Sequence, residues 1–260
     1  MSPARLLLRY RHILYATTLV EIRSRYIGTL FGLTWAVLYP FLFLGLYGVV
    51  YGLILQIRLE RYTSVEYILI MFAGLIPFIG FSEALGASAG SVSGNKPLIK
   101  NTMFPIELLP VKAVIASSVS MTIGLCGLLL ALWVRGNFGL TQILIVPLLV
   151  LQLLFSMGVG WLLAALNVFF RDVAQAIGIL ILFLMIVSPI GYTSDMIPPQ
   201  LRAIAYANPL FYIIDLYRQV LIFGVVVPRF WLAFSTLALL TFWVGYDVFR
   251  RLKPIFAEYV

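Results

Sequence analysis

Residues 142–169 read QILIVPLLVLQLLFSMGVGWLLAALNVF, with no charged side chain between Gln142 and Phe169. Wound as an α-helix at about 1.5 Å per residue, this stretch exceeds a hydrocarbon core about 30 Å thick. Five more apolar stretches lie at approximately 30–56, 67–93, 111–134, 174–194 and 230–249, and each reaches the roughly 20 residues that a crossing needs. Pro40, Pro77 and Pro147 sit inside these stretches, where neighbouring groups can satisfy the carbonyls that a proline frees. Over the whole chain 62% of residues are hydrophobic and 11% charged, against about 45–50% and about 25% in soluble domains. Lipid is therefore the solvent for most of the surface. The expected fold class is all-α integral membrane, one domain over 1–260 with about six transmembrane helices.

Outward from this core, residues 1–29 read as an amphipathic interfacial helix. On a helical wheel over 4–25, Leu6, Leu7, Tyr10, Ile13, Leu14, Thr17 and Val20 share one arc, while Arg5, Arg9, His12 and Arg23 fall outside it. Leu8, Leu19 and Glu21 interrupt the pattern. Such a segment lies along the headgroups with its arginines toward the cytoplasm. The net charge of +8 is read in the same way, as basic helix ends and not as a nucleic-acid surface. With the N-terminus inside, 12 of the 18 Lys and Arg, including Arg23, Arg25 and every lysine, fall on the inner side. Both termini are thus expected in the cytoplasm, with no nucleic-acid partner.

Several chemistries are missing. No G-x-x-x-x-G-K-[ST] phosphate cradle occurs, so no ATP site of the P-loop kind is expected. His12 is the single histidine and Cys126 the single cysteine, which leaves no internal disulfide, no evident metal site and no nucleophile–histidine set. The chain reads as a permease, without catalytic residues or a cofactor of its own. Two acids, Glu83 and Asp247, fall within the apolar stretches, and an ionisable residue at membrane depth is a functional hypothesis by default. Glu83 is either a coupling group or a side chain turned to the subunit interior.

Residues 189–228 break the pattern. Pro189, Gly191, Pro198, Pro199, Asn208, Pro209 and Gly224 exclude one straight helix. Pro198 and Pro199 open a short helix that stops near Asn208, and Pro209 opens a second that runs to Gly224. A re-entrant helical pair on the outer side, before the last span, accommodates two pieces too short to cross and too apolar for water. Asp215 and Arg218, three apart, are placed to neutralise each other. On the inner side, residues 94–110 mix Asn95, Lys96, Lys100 and Glu107 with Leu98, Phe104 and Pro105. Such a segment either rests on headgroups or docks on a partner. Trp35, Tyr39, Phe43, Tyr47 and Tyr51 recur every four residues, a slowly winding aromatic stripe. It either packs on neighbouring helices or offers flat apolar faces to sugar C–H groups.

Four segments carry a resemblance. Glu21-Ile22-Arg23-Ser24-Arg25-Tyr26 with Gly32, Trp35 and Pro40, the segment Asn95–Pro110, Asn167–Val173, and Ser188–Tyr192 with Pro198, Asn208-Pro209 and Tyr217-Arg218 together resemble ABC-2-type polysaccharide export permeases, in order and spacing. Phe78 stands where many members carry Trp, and Glu83 belongs to none of these motifs. The resemblance implies a homodimer in the bacterial inner membrane that works with two separate ATPase subunits, which hold the ATP and Mg. It implies a lipid-linked polysaccharide such as O-antigen as cargo; the alternative is the same architecture carrying teichoic acid, capsule, a drug or a lipid. It also implies ATPase coupling through Asn95, Lys96, Leu98, Lys100, Phe104, Pro105 and Glu107, with Arg23 and Arg25 on the interfacial helix. Glycan-channel candidates are Trp35, Tyr39, Phe43, Tyr47 and Tyr51. Pro189, Tyr192, Pro198, Asn208, Pro209, Asp215 and Arg218 mark the outer re-entrant region.

Overall fold

The computed structural model describes residues 2–27, 29–50, 62–95, 104–193 and 196–259, and these are helical with no strand among them. In chain order come α1 (Pro3–Arg9), α2 (Arg11–Tyr26) and α3 (Trp35–Gly48), then α4 (Ser64–Ala89), α5 (Leu108–Val134) and α6 (Ile145–Phe169). After these come α7 (Val173–Val187), α8 (Arg202–Ala207), α9 (Pro209–Arg218), α10 (Pro228–Leu252) and α11 (Phe256–Tyr259). Among the described residues, 4 helical segments are long and apolar enough to cross a membrane: Ser64–Ala89, Leu108–Val134, Leu140–Phe169 and Pro228–Ile255. The chain is a multi-pass membrane protein. The two other expected spans hold shorter helices, α3 with 14 residues and α7 with 15, or roughly 21 and 22 Å. Residues 51–56 of the first expected span lie outside the described residues.

Local chemistry sets the helix starts. Ahead of α4, Thr63 Oγ1 accepts from the Glu66 amide at 3.3 Å while the Thr63 amide donates to Glu66 Oε2 at 2.8 Å, a reciprocal cap that satisfies two otherwise free amides. Pro3, Pro209 and Pro228 stand in the first turns of α1, α9 and α10, where no amide partner is lost. Asn208 Oδ1 caps α9 by accepting from the Leu210 amide at 3.0 Å. Gly224 takes φ 64°, a left-handed turn that a residue without Cβ adopts at little cost.

The single interfacial helix expected over 4–25 is two helices that meet at Tyr10. The buried face follows the expected arc only in part. Leu6 of that arc is buried, but so is Thr18 outside it, and Val20 is 66% exposed. Glu21 interrupts the apolar arc, yet it turns inward because Lys112 of α5 meets its carboxylate at 3.0 Å. The ion pair lets an acid occupy a packed face.

α4 is the hub, packed on α5, α6, α7 and α9. Its Gly80 lies directly under Met121 of α5. α6 and α10 approach backbone to backbone, because Gly158 faces the Thr241 carbonyl and Gly245 faces Gly158. Small residues of this kind let membrane helices come close enough for dispersion and weak polar contacts to hold them. One apolar core surrounds Tyr67, Met71, Leu75, Phe78, Phe155 and Phe234. A second gathers Leu6, Ile106, Leu108, Trp161, Phe242, Phe249 and Phe256, so segments near both termini share one end of the bundle. Ile179, Leu182, Ile186, Leu232 and Leu240 remain well exposed, as a lipid-facing or subunit-facing surface would be.

Candidate coupling and translocation sites

The segment entering α5 is the most heavily braced part of the terminal end. Pro105, Ile106 and Glu107 are buried and Phe104 is half-buried. Phe104 packs against the core around Trp161. Both Glu107 carboxylate oxygens accept from Lys253 Nζ, at 2.8 and 2.9 Å, and the Glu107 carbonyl accepts from Trp161 Nε1 at 2.9 Å. Trp161 is itself enclosed, with Phe242 and Tyr246 of α10 each 5.3 Å away. A charge-assisted bond from a lysine to a carboxylate in low dielectric resists separation more than a neutral one. Displacing residues 104–107 therefore draws on α6, α10 and the segment after α10 together.

Of the other expected coupling residues, Asn95 ends a short turn and donates from Nδ2 to the Ser91 carbonyl at 2.8 Å. Lys96, Leu98 and Lys100 lie outside the described residues. Arg25 reaches α5, donating to Ser117 Oγ at 3.0 Å and to the Ala113 carbonyl at 3.5 Å, whereas Arg23 is exposed. The Asn167–Val173 connection joins this end through Asn167, whose Nδ2 donates to Ser93 Oγ at 2.9 Å. Its Oδ1 accepts from the Ala174 amide at 3.2 Å. Glu21, Lys112, Trp161 and Lys253 were not among the expected coupling residues. Lys253 sits 146 positions from Glu107, and no spacing rule links such a pair.

At the opposite end, Arg218 is the organising group, with only 1% of its surface exposed. Its Nε donates to the Ile70 carbonyl at 3.0 Å, Nη1 to Tyr192 at 2.8 Å and Nη2 to Ile190 at 2.6 Å. The expected neutralisation by Asp215 does not form. The guanidinium turns toward these carbonyls, and Asp215 accepts from Gln219 Nε2 at 2.6 Å. The planar fork explains the preference, since it can serve several fixed oxygens at once. Around it, Tyr67 donates to the Gly191 carbonyl at 2.8 Å, Tyr192 to the Val187 carbonyl at 2.8 Å and Asn208 Nδ2 to Ser188 Oγ at 3.1 Å. Pro189 is buried and Pro198 exposed, just ahead of the turn into α8. α8 and α9 meet at Asn208-Pro209.

The aromatic stripe on α3 divides. Trp35 packs edge-on to Phe31 at 5.6 Å, and Tyr39 stacks on Phe43 at 6.1 Å. Phe43 is partly turned into the core, while Tyr39 stays 47% exposed. Tyr51 and the side chain of Tyr47 lie outside the described residues. Glu83, which belonged to no motif, lines the same narrow cleft as Tyr39 and Ser120.

Comparison with known proteins gives these features a common setting. The chain is 28% identical to an O-antigen export system permease protein of Klebsiella pneumoniae over 249 residues, 95% of this chain and 94% of that one. It is 25% identical to an O-antigen export system permease protein of Myxococcus xanthus, covering 97% and 96% of the two chains. A polysialic acid transport protein of Escherichia coli is 26% identical, over 90% and 91%. The family profile described as ABC-2 type transporter matches residues 14–222, a range that takes in the braced segment, the Arg218 hub and the stripe. By that match across most of its length, the chain belongs to the ABC-2 type transporter family.

Proposed function

We propose that the chain is the transmembrane subunit of an ATP-driven exporter that moves a lipid-linked polysaccharide of O-antigen type across the bacterial inner membrane. The observation that carries this reading is likeness to polysaccharide-exporting permeases over more than nine-tenths of both chains. In this reading two copies pair, and two separate ATPase subunits bind ATP and Mg. Both termini and residues 94–110 face those subunits in the cytoplasm, and 189–228 forms the outer re-entrant region. The exposed apolar faces of α3 and α7, where Ile179 and Ile186 stand 73% and 76% exposed, support a second subunit beside them. The chain itself carries no catalytic role.

The bracing at Glu107 supports a mechanism. ATPase closure would press on Phe104, Pro105 and the neighbouring Asn95, Lys96, Leu98 and Lys100, with Arg23 and Arg25 on the interfacial helices. The Glu107–Lys253 and Glu21–Lys112 pairs would carry the load into α5, α6 and α10 as a rigid-body shift, coupling through an element with two arrangements. Trp35, Tyr39, Phe43, Tyr47 and Tyr51 would guide the polymer, and loosening around Arg218 would open its outer exit. The test is co-expression with the neighbouring ATPase, purification, and ATP hydrolysis by wild type, Phe104→Ala and Glu107→Ala. Stable co-purification with altered turnover in the two variants is expected. A chain that binds no ATPase in detergent or in lipid overturns the reading.

A further inference from the structure

Glu83 stands on α4 six residues before its end at Ala89, about 9 Å along the axis, inside a membrane-crossing helix. It is half-buried. Among the described residues, no hydrogen bond or ion pair engages its carboxylate. The Arg25 guanidinium of α2 is bonded instead to Ser117 Oγ and the Ala113 carbonyl of α5. A carboxylate at this depth is costly against lipid, and such groups face water, a partner or a cavity. Glu83 shares its cleft with Tyr39, Leu44, Ile76, Ile79, Ser120 and Met121, around a space of about 10 Å³. That is room for about one water molecule and not for a sugar ring. Tyr39, which lines the same cleft, is 47% exposed, with its ring stacked on Phe43.

We propose that Glu83, Tyr39 and Ser120 form a glycan subsite, in which the Glu83 carboxylate accepts hydrogen bonds from sugar hydroxyls while a ring passes over the face of Tyr39. The inference rests on the polysaccharide-export reading and adds a polar contact point to it. A pyranose has an apolar C–H face and a polar rim, and the cleft presents the complement of both. An aromatic plane is available for stacking, and an unpaired acceptor lies beside two hydroxyls that can donate or accept. A proton relay fits less well, since among the described residues lining the cleft only Glu83 and Tyr39 carry ionisable groups. The ligand class is a hydroxyl-rich glycan in extended form, touched in passing and not enclosed.

The experiment uses the intact complex with its ATPase, reconstituted in liposomes. The probe is lipid-linked polysaccharide extracted from membranes of the producing cells. ATP hydrolysis is followed against polymer concentration for wild type, Glu83→Ala, Glu83→Gln and Ser120→Ala. In Glu83→Ala the half-saturating polymer concentration is expected to rise about tenfold, the size expected for a lost hydrogen bond to a charged group. The maximal rate is expected to change far less. Glu83→Gln keeps one oxygen acceptor and falls between, and it decides the matter if Glu83→Ala does not assemble. Unchanged half-saturation in the Glu83 variants overturns the subsite, as does a fall in maximal rate alone, which marks a structural role. A wild-type complex that binds its ATPase yet ignores the polymer overturns the export reading itself, an outcome visible before any variant is made.

Discussion

Lys253 and Glu107 make opposite demands on their surroundings. Glu107 is 8% exposed and Lys253 34%, so removing the lysine strands a buried carboxylate, whereas the lysine can find water. Lys253→Met is therefore expected to destabilise the terminal end by roughly 1–3 kcal/mol, below the loss for a fully buried pair because one partner is partly solvated. A double-mutant cycle with Glu107→Gln, read by thermal unfolding in detergent, should return a coupling energy in that range. Additive single effects would remove the pair from the coupling argument. At the other end, Arg218→Lys keeps the charge and loses the fork. A lysine cannot reach the Ile70, Ile190 and Tyr192 carbonyls together, and a turn carbonyl left unpaired at Ile190 or Tyr192 costs about 1–3 kcal/mol. We expect a clear fall in melting temperature for Arg218→Lys, and an unchanged value would mean that the Ser188–Tyr192 turn is held by other contacts.

Among the elements, the contact between α6 and α10 is the least forgiving. A Cβ at Gly245 would run into the Gly158 backbone, while one at Gly86 meets nothing within 4 Å. Gly245→Ala should separate the two helices and destabilise by about 1–3 kcal/mol, as overpacking does. Gly86→Ala should be neutral or stabilise by up to about 1 kcal/mol through backbone entropy. Parallel unfolding curves check both, and equal effects would contradict the close approach. The same scale marks how far the sequence can be read. The α8–α9 break was legible because Pro198, Pro199, Asn208 and Pro209 act on their own neighbours through φ and through a cap. The four long helices were legible from apolar length alone. The break at Tyr10 and the inward turn of Glu21 were not, because both depend on Leu6 and Lys112 finding partners in distant helices. Asp215 and Arg218 show the same limit: spacing put them on one face, but carbonyls from α4 and the Ser188–Tyr192 turn drew the arginine away. Glu83 could be seen as an anomaly in the sequence, yet only the meeting of α3, α4 and α5 gives it a cleft.

For the whole molecule, topology follows from which residues share an end. Leu6 and Phe256 lie in one core, so segments near the two termini sit at the same end of the bundle, and the chain must cross the membrane an even number of times. The four long helices alone cannot meet it, because the core at this end also holds the closing turns of α4, α6 and α10; the chain must return to the opposite end once before α4 and once between α6 and α10, where α3 and α7 lie. The charge distribution bears on which compartment this end faces. Arg250, Arg251 and Lys253 stand at the shared end, as do Arg5, Arg9 and Arg11, and basic residues are retained on the cytoplasmic side. Cys126 is the single cysteine, so Cys126→Ser gives a blank background for labelling. In that background Asn137→Cys, in the exposed turn after α5, should react with an impermeant maleimide supplied from outside the membrane that holds the protein. Tyr259→Cys, at a residue 54% exposed, should react only after that membrane is disrupted. The reverse pattern would invert the chain and place the Glu107 bracing away from any cytoplasmic ATPase. Equal labelling of both positions with the membrane intact would contradict their placement at opposite ends of the bundle.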